Sequence, residues 1–242
     1  MKKYKITIIT VVKNDEKNIE KTIRSVLSQR YNNIQYIVID GNSTDKTLDI
    51  VKKFKNKIQI ISRKDKNLWE AINLGLRKSK GEIIGILNSK DIFYKNALKT
   101  VNYYFRKHKI EFLFGAVKKD RIYYKFEPEK IFYRFNIYTS HSCGFFIRTK
   151  AQKKLGYYNT DYDYCSDYDL FYRMIVEKKM KGISTKKNEV IGKFDLNGIS
   201  SRVPFYKQYY YEMKIRLANG QNLFYLLILY IVKIINKLKN KF

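Results

Sequence analysis

Three apolar, β-branched runs, at residues 5–12, 34–39 and 58–61, alternate with two stretches of helical periodicity. The first helical stretch repeats Ile19, Ile23, Val26 and Leu27 on one face, and the second covers residues 47–54. Strand, helix, strand, helix, strand with short connections implies a parallel sheet with right-handed crossovers. A fourth run comes after the glycine turn at Gly81 and stops abruptly in Asn88-Ser89-Lys90-Asp91. Short apolar runs bounded by turn signals read as strands buried on both faces. The fold class is therefore α/β, with a mostly parallel sheet flanked by helices.

Ligands of open α/β sheets bind beyond the carboxyl ends of the strands. Two of those ends carry acidic and small polar residues, at Asp40-Gly41-Asn42-Ser43-Thr44-Asp45 and at Asn88 to Asp91. A carboxylate at the first can hold ribose or base donors of a nucleotide. A carboxylate at the second suits a hard divalent cation bridging to phosphate oxygens, or else simply caps the next helix. No Gly-rich phosphate loop of either common type lies near these strands. A nucleotide would then be held by side chains and a metal ion. Asp65 can cap the helix after it. Asn73, one turn beyond Trp69, points either to the cleft or to solvent.

The chain has 242 residues, 45% of them hydrophobic, enough for a large core. Cys143 and Cys165 form neither a disulfide framework nor a metal-ligand spacing, which suits a reducing cytosol. The first apolar run is too short and too soon interrupted for a signal peptide or membrane span. The net charge of +28 favours polyanions. Its lysines are spread along the chain and form no single stripe, so nucleic acid is set aside as a partner.

The second half predicts a helix over 92–112 with Leu98, Val101, Tyr104 and Phe105 inward. After it come a strand over 112–117, a hairpin or irregular segment over 118–130, a strand over 140–148 and a last strand over 189–194. Asp167 and Asp169 project from a loop entering a helix that carries Leu170, Met174 and Ile175. An Asp–Arg pair one turn apart, such as Asp169 and Arg173, can be purely structural.

Several segments, in order, resemble the inverting family 2 glycosyltransferases of the GT-A fold, of the bacterial surface-polysaccharide kind. Residues 7–14 resemble the opening strand that contacts the nucleotide. Ile39 to Thr47 resembles the "DGxSxDxT" loop, Asp65 to Gly75 the "D-x-G-x-x-D-A-x-N-x-G" segment, and Gly81 to Asp91 the run ending "L-N-S-D-D". Ser140 to Arg148 resembles "H-x-x-x-F-x-R", Ser166 to Arg173 "[E/S]-D-x-D-x-x-x-R", and Asp195 to Arg202 the "G-G-x-S" turn with Asn197 in place of the first glycine.

The resemblance implies roles. Asp167 is the base, supported by Asp169 and Arg173. Asp91 meets the metal, Mg or Mn. Val11, Asn14, Asp40, Ser43, Asp45, Asp65, Asn73, Asn88, Lys90, His141 and Arg202 contact a nucleotide-diphosphate sugar, with a UDP-type donor favoured. His141 is open to a phosphate, the acceptor or the metal, or to a structural role. The departure is Lys90, which stands where the family has an acidic residue. Either it binds a donor phosphate directly, or metal affinity and activity are reduced.

Residues 1–203 are expected to form the transferase domain, with a nucleotide-sugar half (1–92) and an acceptor half (93–203). Residues 204–242 form a helical tail. Residues 223–232 are wholly apolar, and in residues 233–241 lysines interleave with apolar side chains. The tail is short for a span and reads as an amphipathic helix on an anionic membrane surface, or as a helix packed on the domain or a partner. The expected activity is sugar transfer to a lipid-linked surface glycan, on the cytoplasmic face of the cell membrane. The alternative is a noncatalytic nucleotide-sugar- or glycan-binding relative, suggested by Lys90.

Overall fold

The computed structural model describes residues 3–135, 137–198 and 203–239. Its centre is a seven-stranded sheet. The first strand, β1 (Ile6–Val12), pairs in parallel with β2 (Ile34–Asp40) on one side and β4 (Ile83–Ile86) on the other. β3 (Gln59–Ser62) extends the β2 side in parallel. Past β4 lies β9 (Phe145–Arg148), antiparallel to β4 and to β6 (Phe112–Phe114). β10 (Gly182–Ser184) closes that edge in parallel with β6. The α/β, mostly parallel architecture holds, with one reversed strand inside it.

Ile6, Ile8, Ile9, Ile83, Ile84 and Ile86 are buried, as runs without polar alternation demand when both faces are covered. α1 (Ile19–Leu27), α2 (Thr47–Lys52) and α3 (Leu68–Lys78) cross between the parallel strands. α3 lies so close to β1 that a Cβ at Gly75 would stand 2.5 Å from the Ile9 side chain. α4 (Ala97–Lys107) starts later than the sequence suggests, because Ile92–Phe93 forms a short strand, β5.

β5 belongs to a second, four-stranded sheet that the sequence does not announce. It pairs antiparallel with β11 (Val190–Lys193). β11 runs parallel to β7 (Ala116–Lys118), which turns back onto β8 (Ile122–Tyr123). The expected strand over 112–117 is thus split, its first half in the large sheet and its second in the small one. Gly115 sits at the change, where a Cβ would be 1.9 Å from Ile191 Cδ1. The expected strand over 140–148 is shorter too, because residues 140–144 form the turn entering β9. α5 (Thr149–Leu155) comes directly after β9, and α6 (Ser166–Tyr172) packs its Phe171 among Phe114, Tyr138 and Phe145.

The tail forms α7 (Phe205–Ala218) and α8 (Leu223–Lys239). A buried ion cluster locks it down. Glu212 accepts from Arg216 Nε at 3.1 Å and from Lys233 Nζ at 2.7 Å, joining α7 to α8. Arg216, fully buried, lies 5.4 Å from the Tyr168 ring of α6 and donates to the Arg134 carbonyl at 3.2 Å. Removing one partner of such a cluster leaves buried charge uncompensated, at about 3–5 kcal/mol. Glu212→Ala is expected to lower unfolding stability by about 3 kcal/mol in denaturant melts. A loss below about 1 kcal/mol would show that the cluster does not hold the tail.

Candidate active site

The carboxyl ends of β1, β2 and β4 open on a cleft of about 890 Å3. β9 runs the opposite way, so its entry, Ser140 to Gly144, reaches the same edge. The small sheet and the start of α6 complete the walls. Among the sequence-predicted residues, the cleft brings together Val11, Asn14, Asp65, Asn88, Lys90, Asp91, His141 and Asp167. Asp40 is fully buried beside Gly41, which lines the cleft.

Three of these groups hold a buried acceptor with no hydrogen-bond partner among the described residues: Asp40 Oδ1, Asp65 Oδ2 and Asn88 Oδ1. In each carboxylate the other oxygen is engaged. Asp40 Oδ2 accepts from Ser43 N at 3.2 Å and Ser62 Oγ at 2.7 Å, and Asp65 Oδ1 accepts from Arg63 Nε at 2.7 Å. A buried acceptor left unpaired costs about 1–3 kcal/mol. A donor on a ligand or a water recovers that cost, so the two that line the cleft, Asp65 Oδ2 and Asn88 Oδ1, mark where polar ligand groups would be welcomed.

Asp167 sits half-buried in the first turn of α6, and Tyr138 donates its hydroxyl to Asp167 Oδ2 at 3.3 Å. His141 Nε2 lies 2.8 Å from the Tyr158 hydroxyl, and burial pushes its pKa below the ordinary histidine value, only partly offset by Asp167. Burial thus favours its neutral form. Trp69 stacks on Tyr158 and meets the His141 ring edge-on, making a rigid aromatic floor.

Other predicted residues brace the site from outside it. Asn73 does not face the cleft, because its amide is engaged by the Tyr158 backbone at 2.8 and 2.9 Å. Ser43 accepts from Asn14 N at 2.9 Å, and Asp45 accepts from Thr47 N and Glu16 N. The Thr47 hydroxyl beside it holds the Asp45 carboxyl below its usual range. Asp169 pairs with Arg173 at 2.9 Å, and Arg173 also donates to the carbonyls of Leu155 and Tyr157, which is a support role. Arg202 lies outside the described residues.

The structure adds groups that the sequence did not single out. Asp15 lines the cleft and accepts from the Ser89 hydroxyl. Lys119 reaches the cleft from the end of β7, half-buried, with its ammonium 4.8 Å from the rings of Tyr123 and Phe194. Burial lowers its pKa, an effect opposed by Asp91 and Asp167 among others. In sequence it is one of a Lys118-Lys119-Asp120-Arg121 charge run, which reads as a solvated turn. Only the strand change at Gly115 aims it inward.

The family resemblance implies a divalent cation at Asp91. Both Asp91 oxygens are already engaged: Oδ2 accepts from the Ser142 hydroxyl and Oδ1 from Asp195 N at 2.8 Å. Among the described residues no group of three His, Cys, Asp or Glu could hold a metal ion. Hard cations want several oxygen donors and negative charge. Here Asn88 Oδ1 and the Asp91 carboxylate share the wall with two ammonium groups, Lys90 and Lys119, while the neighbouring Asp15 accepts from Asn18 and Ser89 and Asp195 from Asn197 N. This donor set does not fit a divalent cation.

Fold and cleft define the class, a GT-A-type α/β protein whose strand tips converge on one crevice. The profile of the family described as Glycosyl transferase family 2 matches residues 7–178, and the chain belongs to that family. It is 27% identical over 193 residues to an uncharacterized glycosyltransferase of Rickettsia typhi, covering 70% of this chain and 58% of that one. It is 26% identical over 193 residues to WfaP of Escherichia coli, a UDP-Glc:alpha-D-GlcNAc-diphosphoundecaprenol beta-1,3-glucosyltransferase, covering 77% and 74%. The chain thus spans little more than half the length of the rickettsial relative. S. aureus TarS 1–349 in complex with UDP-GlcNAc superposes with a TM-score of 0.72 at 20% identity, over 90% of this chain and 68% of that one. The mannosyltransferase PcManGT of Pyrobaculum calidifontis, in complex with GDP-Man and Mn2+, gives 0.70 at 14% identity, over 90% and 65%. Identities this low speak to fold alone. These neighbours hold nucleotide sugars, and in one case Mn2+.

Burial pushes the Asp91 carboxyl up to about 7. A folded pKa raised above the unfolded one gives stability that is present at acid pH and lost as pH rises towards 7. Wild-type protein is therefore expected to lose about 2 kcal/mol relative to Asp91→Asn between pH 5 and pH 8. Paired thermal melts across that range check it, and a difference that stays flat with pH would refute the burial argument.

Proposed function

We propose that the protein is an inverting glycosyltransferase that moves a sugar from a nucleotide-diphosphate sugar, of UDP type by preference, to a hydroxyl of a lipid-linked surface glycan. The observation that carries this reading is the pair of unpaired buried acceptors, Asp65 Oδ2 and Asn88 Oδ1, that line one cleft with a half-buried, tyrosine-supported Asp167. Asp40 and Asp65 are acceptors for donor groups of the nucleoside. Trp69 and His141 form the floor, and neutral His141 donates or accepts a hydrogen bond without adding charge.

In this reading Asp167 accepts the proton of the acceptor hydroxyl as its oxygen attacks the anomeric carbon. The bond from that carbon to the β-phosphate oxygen breaks on the opposite face, and its electron pair leaves with the nucleoside diphosphate. Tyr138 holds the Asp167 carboxylate in aim. Residues 1–203 would supply both halves of this site, with the donor held by 1–92 and the acceptor by 93–203. Mg2+ or Mn2+ is the cofactor the resemblance implies, but no step here depends on it, since the residues present do not fit it. The runner-up, a noncatalytic sugar-nucleotide-binding relative, is favoured by Lys90 alone.

Asp167→Asn is expected to lower transfer by about 10^2–10^4-fold with nucleotide-sugar binding unchanged. Binding is read by the rise in melting temperature over a panel of nucleotide sugars, because a ligand that prefers the folded state stabilises it by mass action. Wild-type binding without turnover on any acceptor would favour the noncatalytic relative.

The tail supports a membrane partner. Phe224, Ile228 and Ile231 of α8 are 75%, 65% and 57% exposed, while Leu226 and Tyr230 face the body. Among the described residues no helix is long and apolar enough to cross a membrane. An apolar face with lysines beside it suits the interface of an anionic bilayer on the cytoplasmic side. Co-sedimentation with phosphatidylglycerol vesicles is expected, and is expected to fall at least about tenfold on replacing Ile228 and Ile231 by Glu. Equal binding of both proteins would remove α8 from the contact.

A further inference from the structure

Lys90 and Lys119 are unusual cations for a cleft wall. Lys90 adopts a left-handed backbone, φ 78°, which costs a side-chain-bearing residue about 1 kcal/mol or more. Its ammonium contacts the Asn197 carbonyl at 3.4 Å. It is thus held towards the loop beyond β11. Lys119 is boxed by two aromatic faces, and among the described residues its ammonium makes no hydrogen bond or ion pair. An ammonium carries three donors, and the face of a ring replaces water on one side without consuming them. Both cations line the same cleft as Asp167, Lys90 from the turn between β4 and β5 and Lys119 from the end of β7.

We propose that Lys90 and Lys119 together supply the positive charge that stabilises the leaving diphosphate, so that transfer proceeds without a divalent metal. This rests on the donor reading above. Two of the carboxylates near them serve other ends, since Asp91 is engaged on both oxygens and Asp167 awaits the acceptor proton. Preorganised cations act where charge develops as the sugar–phosphate bond breaks, and in a partly dry cleft their effect is larger than in water. Lys90 in place of a carboxylate and Lys119 in an aromatic box are then two parts of one substitution. Two single charges, one from the β4–β5 turn and one from the end of β7, stand in for one double charge.

The test is calorimetric titration of UDP and GDP into wild type, Lys119→Met, Lys119→Gln, Lys90→Ala and Lys90→Asp, each in EDTA and in Mn2+, with melting temperatures recorded alongside. The wild type is expected to bind a diphosphate in EDTA within about threefold of its affinity in Mn2+. Lys119→Met and Lys119→Gln are expected to weaken binding about tenfold or more while remaining folded. Lys90→Ala is expected to weaken it similarly, and Lys90→Asp to make it depend on Mn2+. Wild-type binding or transfer that vanishes in EDTA and returns with Mn2+ overturns the proposal but leaves the donor reading intact. Lys119 variants that fold and bind as wild type also overturn it. If neither diphosphate binds wild type under any condition, the donor reading falls, and this proposal with it.

Discussion

One carboxylate ties the two sheets together. Asp91 lies just past the end of β4, accepts a hydrogen bond from Ser142 at the entry to β9, and accepts another from Asp195 just beyond β11. The large sheet therefore meets the small one through a group that is itself part of the cleft wall. Burial of that group is compensated by two hydrogen bonds, and the remaining cost appears as its raised proton affinity. The loops carrying Lys90 and Asn197 take their positions from this junction.

Around that junction the cleft divides its labour by chemistry. One wall, from the parallel strands, offers acceptor oxygens, Asp65 Oδ2 and Asn88 Oδ1, that have no donor among the described residues. The other wall, from the small sheet, offers at Lys119 a cation with no ion pair or hydrogen bond among the described residues. α6 presents Asp167 between them, braced by Tyr138 and, one turn on, by the Asp169–Arg173 pair. A ligand with donors at one end and phosphates at the other matches this polarity better than a neutral metabolite would.

The first half of the fold was legible in the sequence because buried parallel strands are short, apolar and bounded by turns, and those signals are local. Asp40, Asn88, Asp91 and Asp167 were legible as strand-end or helix-entry residues in motifs with ordered spacing. The small sheet was legible only in part: the last strand over 189–194 is β11, but the pairing of strands two to four residues long draws on partners up to about a hundred positions apart, where periodicity carries no information. Lys119 was hidden for the same reason, since a basic turn gives no sign of facing inward. Asn73 misled in the opposite direction. A polar residue on a helix face near the cleft satisfied a neighbouring backbone at Tyr158, a role that sequence spacing does not distinguish from ligand contact.

The strand change at Gly115 bears on how the crevice admits its ligands. A single residue separates the stretch that ladders with the core from the stretch that ladders with the cover. No slack exists there for a hinge, and swinging the cover away would mean unzipping pairs on both sides of the glycine. Entry and exit therefore fall to the short segments at the rim, while the two sheets keep their relation to one another like a fixed piece of masonry.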